Sequence, residues 1–253
     1  VNYIFCDIYK KNKLQKILEQ KNFDYIINLG GYVDHSNKLK TFQSHYYGCK
    51  NLVDIFKTKK IKLFIQIGSS LEYGKLKSPH IETLKCKPTA TYGISKYKSS
   101  KYIQKCDNKK SFPYVILRPY QVYGPNQSIN RLIPIVISSC IKNKKFNCSS
   151  GIQKRDFLYI DDFINLINKL ILRKKKIKGI FNVGSGKASS VKETIQLIHK
   201  KIKKGNPQFG KIKMRRDESL NYYPKIKKLK KAIKWSAKTS LKKGLFQTIQ
   251  YYK

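Results

Sequence analysis

Short apolar runs alternate with helical stretches in the first half of the chain, and this alternation limits the possible fold more than any other feature. The runs cover residues 25–29, 62–68 and 113–119. Each is too short for a buried helix and ends at or just before a glycine or proline, as buried strands do. Strands that alternate with helices predict a doubly wound parallel sheet, whose ligands bind at the carboxyl ends of the strands. We therefore predict an α/β fold.

The segments between these runs have the periodicity of amphipathic helices. Leu14, Ile17 and Leu18 form one helical stripe before the first run. A second stripe follows it at steps of four and three residues, and consists of Phe42, Tyr46, Cys49, Val53 and Phe56. The opening letters VNYIFCD, residues 1–7, predict one more short strand that ends in an acid.

The second half of the chain continues the pattern less regularly. It predicts helices over residues 133–141, after a cap at Asp161, after a cap at Ser190, through Trp235 and from about Ser240. It predicts strands near Phe146, in RDFLYI, in IFNV and in KIKMRR.

The charge of the chain is extreme, with 55 Lys and Arg residues against 14 Asp and Glu residues and a formal net charge of +41. One interpretation is a nucleic-acid binder that its electric field steers to the target. The other is a lysine-rich composition spread over every segment, and the absence of zinc-finger spacing, an RNA-recognition motif or a basic heptad region favours it. In either case a positive surface favours an anionic substrate, and no metal site is predicted.

The remaining composition is that of a folded protein of one or two domains, with 40% hydrophobic and 12% aromatic residues. The six cysteines show no C-x-x-C pair or regular spacing, which is typical of reduced thiols in a cytoplasmic protein. No apolar run approaches the roughly 18 residues of a membrane-spanning helix, and no signal peptide is recognisable. We expect a cytoplasmic location and no membrane partner.

Tyr92 and Lys96 form the pair with the strongest chemical context. The letters TYGISKYKSSKYIQKC predict a helix, on which these two residues lie one turn apart on the same face. The spacing Tyr-x-x-x-Lys alone is weak evidence, because it occurs six times in this lysine-rich chain. Only the copy at Tyr92 follows, after a short loop, a strand that ends in the serine pair Ser69 and Ser70.

A phenol next to an ammonium group can act as a base. Lowering a phenol pKa from about 10 to about 7 takes roughly 4 kcal/mol. An ammonium group about 5 Å away supplies about 3 kcal/mol at an effective dielectric constant near 20. Lys96 could therefore activate Tyr92, while the Ser69 hydroxyl would hydrogen-bond the reacting oxygen.

Residues at other predicted strand ends could complete a ligand site. Asp7, Gly30, Gly31 and Ser69 all fall at such ends. Two glycines after a strand let a ligand approach the backbone closely, although they also occur as simple turns.

These residues resemble the extended short-chain dehydrogenase/reductase family, and within it the NAD-dependent nucleotide-sugar epimerases and dehydratases. The family's strand-end Ser or Thr followed by Tyr-Gly matches Ser69 with Tyr73 and Gly74, and its Tyr-x-x-x-Lys matches Tyr92 and Lys96. RPYQVYGP, RDFLYIDD, FNVGSG and the closing helices match its later motifs, so that the resemblance covers almost the whole chain.

The resemblance implies a Rossmann-like doubly wound sheet and a smaller C-terminal α/β substrate domain. Residues 1–119 with 156–183 would form the NAD-binding domain, and residues 120–155 with 184–253 the nucleotide-sugar domain. The implied partners are a nucleotide-diphosphate sugar and a second copy of the chain in a homodimer, with no specific nucleic acid. NAD and NADP both remain open as the cofactor.

The resemblance also assigns roles to single residues. In the family, the Tyr removes a hydroxyl proton as hydride passes from the sugar carbon to NAD, and the Lys also holds the cofactor ribose. The implied catalytic residues are Ser69, Tyr92 and Lys96. The implied cofactor contacts are Asp7, Ile8, Leu29, Gly30, Gly31, Tyr92, Lys96 and Pro119. The implied substrate contacts are Ser70, Gln121, Arg155, Arg215 and Glu218.

The chain departs from the family pattern at positions that affect the reaction. Dehydratases of the family follow the catalytic Thr with Asp-Glu, whereas Ser70 and Leu71 stand there in this chain. This change disfavours 4,6-dehydration and leaves a nucleotide-sugar epimerase or a 4-keto reductase. His45 and Gln121 stand where the family usually has asparagine.

The family's Gly-rich turn, which holds the cofactor pyrophosphate, has no counterpart before VNYIFCD. Because VNYIFCD aligns with the family's third strand, we expect the first βαβ unit to be lacking and the sequence to be truncated at its amino terminus. Residues 25–29 would then have an unpaired apolar edge. An alternative function follows, namely an inactive basic relative that binds anions or nucleic acid.

Overall fold

The computed structural model describes residues 1–34, 36–214 and 218–253. These residues divide into two units. The first unit consists of Val1–Leu76, Glu82–Pro119 and Ile171–Asn182. The second unit consists of Lys77–Ile81, Tyr120–Leu170 and Val183–Lys253.

Strands and helices alternate along both units. The strands are β1 (Tyr25–Asn28), β2 (Leu63–Ile67), β3 (Tyr114–Pro119), β4 (Gln121–Tyr123), β5 (Lys145–Asn147), β6 (Lys154–Tyr159), β7 (Gly179–Val183), β8 (Ala188–Ser190), β9 (Asn206–Gln208) and β10 (Asn221–Tyr222). The α-helices are α1 (Lys11–Leu18), α2 (Lys38–Phe42), α3 (Gly48–Phe56), α4 (Thr91–Lys110), α5 (Leu132–Ile141), α6 (Ile160–Ile171), α7 (Val191–Ile202), α8 (Lys227–Ile233) and α9 (Leu241–Tyr252).

The sheet of the first unit has the strand order β1-β2-β3-β7. Strand β2 pairs in parallel with β1 on one side and with β3 on the other. The three apolar runs of the sequence are thus three adjacent strands, and the predicted parallel α/β sheet is confirmed. Among the described residues β1 pairs only with β2, so that the predicted unpaired edge is present.

The core of the first unit lies between these strands and helices α3 and α4. Ile26, Phe64 and Ile116 from the strands pack with Val53 of α3 and Ile103 of α4. The predicted helix through residues 42–56 is interrupted by one π-helical turn, Gln43–Tyr47, which joins α2 to α3. His45, inside this turn, is buried.

Strand β6 is the centre of the second unit's main sheet. It pairs in parallel with β4 and β10 and antiparallel with β8. Strands β5 and β9 form a separate parallel pair. Helices α5, α7 and α9 pack around a core that includes Ile137, Ile198 and Leu245.

The predicted domain boundaries need correction in more than one place. We placed residues 156–183 with the first domain, but residues 156–170 and Val183 lie in the second unit. The reason is that β6 finds all its strand partners in that unit. Residues 77–81 also lie in the second unit rather than the first. The cofactor and substrate roles of the two units stay predictions.

The opening strand was predicted wrongly. Residues 1–7 have no regular structure, and the Phe5 side chain is 91% exposed. A strand is stable only where its backbone groups find a partner strand, and none of the described residues supplies one here. The apolar residues of this segment are therefore exposed and do not form a strand.

Two helix boundaries and one predicted strand also differ from the structure. Helix α6 begins at Ile160, so that Asp161 lies in its first turn and is not its cap. Helix α8 ends at Ile233, because Lys234 adopts a left-handed backbone conformation before Trp235. Residues 211–214 of the predicted strand KIKMRR are not a strand, and the rest of it lies outside the described residues.

Two predicted helix starts are confirmed. Ser190 caps α7 in a capping box with Glu193, and each side chain accepts a hydrogen bond from the other residue's backbone N–H. Ser240 caps α9 by accepting a hydrogen bond from the backbone N–H of Lys243. Within the residues that the structure describes, no helix is both long and apolar enough to cross a bilayer.

Candidate functional site

Ser69 stands directly after β2, at the start of the 3₁₀ turn Ser70–Tyr73. Its hydroxyl oxygen accepts a hydrogen bond from the backbone N–H of Leu71 at 3.1 Å. Its own backbone N–H donates to the Glu72 carboxylate at 3.0 Å. The side chain is largely buried, and no described residue accepts a bond from its O–H, which is therefore available to a ligand.

Tyr92 and Lys96 lie in the first two turns of α4 on one face, as predicted. The Lys96 Nζ atom is 5.8 Å from the centroid of the Tyr92 ring. It donates a hydrogen bond of 2.7 Å to the carbonyl of Ile67, the last residue of β2. This bond ties α4 to the strand end that Ser69 follows, so that the structure brings the three predicted catalytic residues together.

A second Tyr-x-x-x-Lys pair on the same helix shows what makes the first one unusual. Tyr97 and Lys101 have nearly the same geometry, with Nζ 5.9 Å from the ring centroid. Lys101 is exposed, whereas Lys96 is 4% exposed. Burial and the bond to β2, and not the spacing, distinguish the candidate pair.

Burial also changes the acidity of Lys96. It lowers the pKa of the ammonium group from the ordinary value of 10.5 to about 8. Within the described residues the Ile67 carbonyl is its one hydrogen-bond acceptor. Because an ammonium group has three N–H donors, two remain for a ligand hydroxyl.

Ile8 fills a notch between two glycines. A Cβ atom at Gly30 would lie 2.8 Å from the Ile8 Cδ1 atom, and one at Gly48 would lie 2.6 Å from it. The side chain of Asn51 donates hydrogen bonds to the carbonyls of Ile8 and Tyr9 and holds this segment on α3. Packing within the chain is therefore one reason for glycine at position 30.

The remaining predicted cofactor contacts have different surroundings. Asp7 is exposed and lies 3.5 Å from the Lys10 ammonium group. Leu29 is 68% exposed just beyond β1, and Pro119 ends β3. A Cβ atom at Gly31 would overlap the buried His45 ring, at 1.9 Å from Cε1.

His45 contacts the proposed base. Its ring centroid is 4.9 Å from that of Tyr92 in an edge-to-face arrangement, and its Nε2 atom is 3.2 Å from the Tyr32 carbonyl oxygen. The sequence singled out His45 only because the family usually has asparagine at its position. The structure shows that this side chain is a neighbour of Tyr92.

The sequence did not lead us to a buried ion pair, one member of which is hydrogen-bonded to Ser69. Glu72 and Arg118 are both almost inaccessible, and their side chains approach to 2.8 Å. The sequence carries a signal for Glu72, because Ser-x-x-Glu is the spacing of a capping box, and Ser69 and Glu72 form one. It carries none for Arg118, whose partner is 46 residues away.

The predicted substrate contacts, Ser70 apart, fall in the second unit or outside the described residues. Arg155 donates hydrogen bonds of 2.8 Å to the Glu218 carboxylate and to the carbonyl of Lys154. Gln121 is exposed in β4. Ser70, in the first unit, is buried in the 3₁₀ turn. Arg215 lies outside the described residues.

Two other features are separate from these groups. In the described residues no cluster of His, Cys, Asp and Glu has the geometry of a metal site. A surface cavity of about 490 Å³ lies between α7 and α9, with lysines around apolar residues. It contains neither an acid nor a nucleophile beyond Ser240, so that chemistry, and not cavity size, selects the site at Ser69.

Two known proteins are similar to this chain over almost its whole length. The dTDP-D-glucose 4,6-dehydratase of Homo sapiens is 29% identical over 267 residues, which cover 100% of this chain and 75% of the relative. The UDP-glucuronic acid 4-epimerase of Bacillus cereus, solved with UDP-glucuronic acid and NAD, has a TM-score of 0.87 at 26% identity and covers 97% of this chain and 79% of that one.

A third relative shows the shared fold. The UDP-glucose 4-epimerase of Thermotoga maritima, solved with UDP-glucose, has a TM-score of 0.89 at 22% identity, over 98% of this chain and 82% of that one. The model of the NAD dependent epimerase/dehydratase family matches residues 1–184, which is more than half of the sequence. The chain therefore belongs to the NAD-dependent epimerase/dehydratase family, as its motifs predicted.

Proposed function

We propose that the chain is an NAD-dependent nucleotide-sugar epimerase or 4-keto reductase in which Tyr92 transfers the proton of a sugar hydroxyl. One observation carries this proposal. The buried ammonium group of Lys96 lies beside the Tyr92 ring and is bound to the strand end that Ser69 follows. A lysine that only kept the surface soluble would be exposed, as Lys101 is.

The donor set at this site fits a nicotinamide cofactor. Two N–H donors of Lys96 are available for ribose hydroxyl groups, and the exposed side chain of Leu29 offers an apolar surface beyond β1. We propose Lys96, Tyr92, Leu29, Asp7 and Ile8 as contacts. When bound, NAD would supply the chemistry of hydride exchange with a sugar carbon.

The chain's own residues would handle the proton. The Ser69 O–H is free to donate to the reacting sugar oxygen and to fix its position. The Tyr92 oxygen would take the proton of the sugar hydroxyl when the sugar carbon is oxidised. It would return a proton to the sugar oxygen when that carbon is reduced again. The Lys96 Nζ atom is 5.8 Å from the Tyr92 ring centroid, and at about that separation a cation would stabilise a phenolate by about 3 kcal/mol at an effective dielectric constant near 20.

Epimerase or reductase chemistry has better support than dehydration. Elimination of water needs an acid and a base near the sugar, and Ser70 and Leu71 supply neither. The carboxylate closest in sequence, Glu72, is completely buried and is bonded to Ser69, Ser100 and Arg118. It is therefore in the wrong environment to exchange protons with a substrate.

The substrate class that we propose is a nucleotide-diphosphate sugar. Relatives of the chain are named for UDP- and dTDP-sugars. Arginine suits a diphosphate because its planar fork binds two oxygens at once, and we propose Arg155 and Arg215 for this contact. Glu218 holds the Arg155 side chain in place. We also propose Ser70 and Gln121 as substrate contacts.

The helix itself provides a matched test of the proposal. Tyr92→Phe should lower kcat for the UDP- or dTDP-sugar that the wild type converts by two or more orders of magnitude, because the ring remains and the proton carrier is lost. Tyr97→Phe, in the second Tyr-x-x-x-Lys pair of α4, should leave kcat within about twofold. Circular dichroism of both variants checks their folding. Near-normal turnover by Tyr92→Phe would contradict the proposal.

A further inference from the structure

The Glu72 carboxylate is completely buried and joins three structural elements. Its Oε1 atom accepts a hydrogen bond of 3.0 Å from the backbone N–H of Ser69, just beyond β2. Its Oε2 atom accepts one of 2.8 Å from the hydroxyl of Ser100 on α4. The same atom accepts bonds of 3.0 and 2.8 Å from Nε and Nη2 of Arg118 on β3.

The contact with α4 is made on its reactive face. Tyr92, Lys96 and Ser100 follow each other at steps of four residues, so that they lie one above the other along the helix. Lys96 binds the end of β2, and Ser100 binds Glu72 one turn further on. One carboxylate thus contacts both the residue that would orient the substrate and the helix face that would exchange its proton.

We propose that Glu72 is a positioning residue that fixes the Ser69 turn against the reactive face of α4 and places a negative charge near the Lys96 ammonium group. This inference rests on the proposed function, because it concerns the same three reactive residues. Glu72 contacts neither substrate nor cofactor in this role.

The surroundings of Glu72 are built for a charged carboxylate. A buried carboxylate without a partner is strongly destabilising, and the Arg118 guanidinium group supplies the compensating charge. Arg118 in turn lies over the Tyr73 ring, at 4.8 Å from its centroid, and the Tyr73 hydroxyl donates to Asn182 of β7. Gly68 makes room for the carboxylate, because a Cβ atom there would lie 2.5 Å from Oε1.

The charge of Glu72 acts on Lys96. Among the described residues, the titratable groups whose charge acts on Lys96 are Cys49 of α3 and Glu72, and the Tyr92 ring lies beside it. Burial raises the pKa of Cys49 to about 12, so that this thiol is neutral near pH 8 and contributes no charge. Burial lowers the pKa of Lys96 to about 8, and the negative charge of Glu72 opposes that decrease.

The decisive variant is Glu72→Gln, which keeps the shape of the side chain and removes its charge. The measurement is a pH titration of the lysine Cε resonances by NMR, in which Lys96 is identified by the signal that disappears in Lys96→Met. We expect the Lys96 midpoint to fall by at least about half a pH unit from its wild-type value. Glu82→Gln, which removes a carboxylate bonded to the backbone N–H of Asn182, is the matched control and should leave the midpoint unchanged.

A second variant, Ser100→Ala, tests position without a change of charge. It removes the hydroxyl that Glu72 holds, and it should lower kcat roughly tenfold with little change in KM, while the Lys96 midpoint stays at its wild-type value. It also decides the question if Glu72→Gln does not fold, since a folded Ser100→Ala with wild-type kcat would overturn the inference.

The outcomes separate this inference from the proposed function. Absence of turnover by the wild type with any UDP- or dTDP-sugar counts against the proposed function, while the Lys96 titration still tests the role of the Glu72 charge. A folded Glu72→Gln protein with an unchanged Lys96 midpoint overturns the inference, whatever the turnover of the wild type.

Discussion

Lys96 shows at the scale of one residue why a site can be less stable than the rest of a fold. Taking an ammonium group out of water is unfavourable, and burial lowers the pKa of Lys96 from 10.5 to about 8. The shift corresponds to about 3 kcal/mol of folding free energy at neutral pH. Such a position is expected where selection retains a charge for function.

We predict that Lys96→Met increases the stability of the fold at pH 7 by about 1–3 kcal/mol. The methionine fills a similar volume without a charge, and the Ile67 carbonyl keeps its hydrogen bond from the Gln66 side chain. Urea unfolding of wild type and variant measures the difference. Lys101→Met, at the exposed lysine of the second pair, should change stability by less than about 0.5 kcal/mol.

The pH dependence of this difference follows from the sign of the shift. The folded-state pKa of Lys96 is below its unfolded-state value, so that between about pH 8 and pH 10.5 the unfolded chain binds more protons at this position. Folding stability from this group therefore rises with pH in that interval. The stability difference between Lys96→Met and the wild type should therefore decrease toward pH 10.5. A difference that did not change with pH would contradict burial of the ammonium charge as its cause.

At the scale of secondary structure, the sequence predicts those elements whose signal is local. The strands β1, β2 and β3 have the apolar runs of buried strands, and Ser190 and Ser240 have the pattern of helix caps. The prediction of an opening strand was wrong because its apolar residues carry no information about a partner strand. The prediction of Asp161 as a helix cap was wrong because α6 starts one residue before it.

The same distinction between local signals and contacts of distant residues applies to the candidate site. Ser69, Tyr92 and Lys96 could be singled out as candidates because each lies in a local motif. The burial of Lys96 and its bond to Ile67 could not be predicted, because they depend on how α4 packs against β2. The Arg118–Glu72 pair joins residues 46 positions apart, and patterns in a single sequence do not predict contacts over such a separation.

The notch for Ile8 gives a prediction about how the amino-terminal segment is held. Gly48→Ala replaces glycine by a better helix former, which by propensity alone would stabilise α3 by up to about 1 kcal/mol. The new methyl group would instead lie 2.6 Å from two atoms of Ile8 and expel that side chain. We expect a net loss of about 1–2 kcal/mol in the free energy of unfolding and faster proteolysis within residues 1–10.

A double variant isolates this contact. In the Ile8→Ala background the notch is empty, so that Gly48→Ala should there be neutral or stabilising in urea unfolding. Equal effects of Gly48→Ala in both backgrounds would show that the loss has another origin than the contact with Ile8.

At the scale of the whole molecule, charge is the dominant property. Even if each of the 14 acidic residues paired with a different base, 41 of the 55 basic residues would have no acidic partner of their own. Lysines occur on elements of both units, for example on α1, α4, α8 and α9. The homodimer that the family resemblance implies and the cytoplasmic location that the cysteine pattern indicates stay predictions.

This charge leads to a last prediction, which separates an enzyme with a lysine-rich surface from a module that recognises nucleic acid. Phosphate contacts alone release counterions and are independent of base sequence, whereas recognition requires a groove or a set of side chains aimed at base edges. If the excess lysine is composition, two duplexes of about 20 base pairs with unrelated sequences should bind with the same affinity within about threefold. Fluorescence anisotropy should show a steep decrease in affinity between about 0.05 and 0.2 M salt, with Kd weaker than about 1 μM at 0.15 M. A preference of more than about a hundredfold for one duplex at 0.15 M salt would instead favour the nucleic-acid-binding alternative.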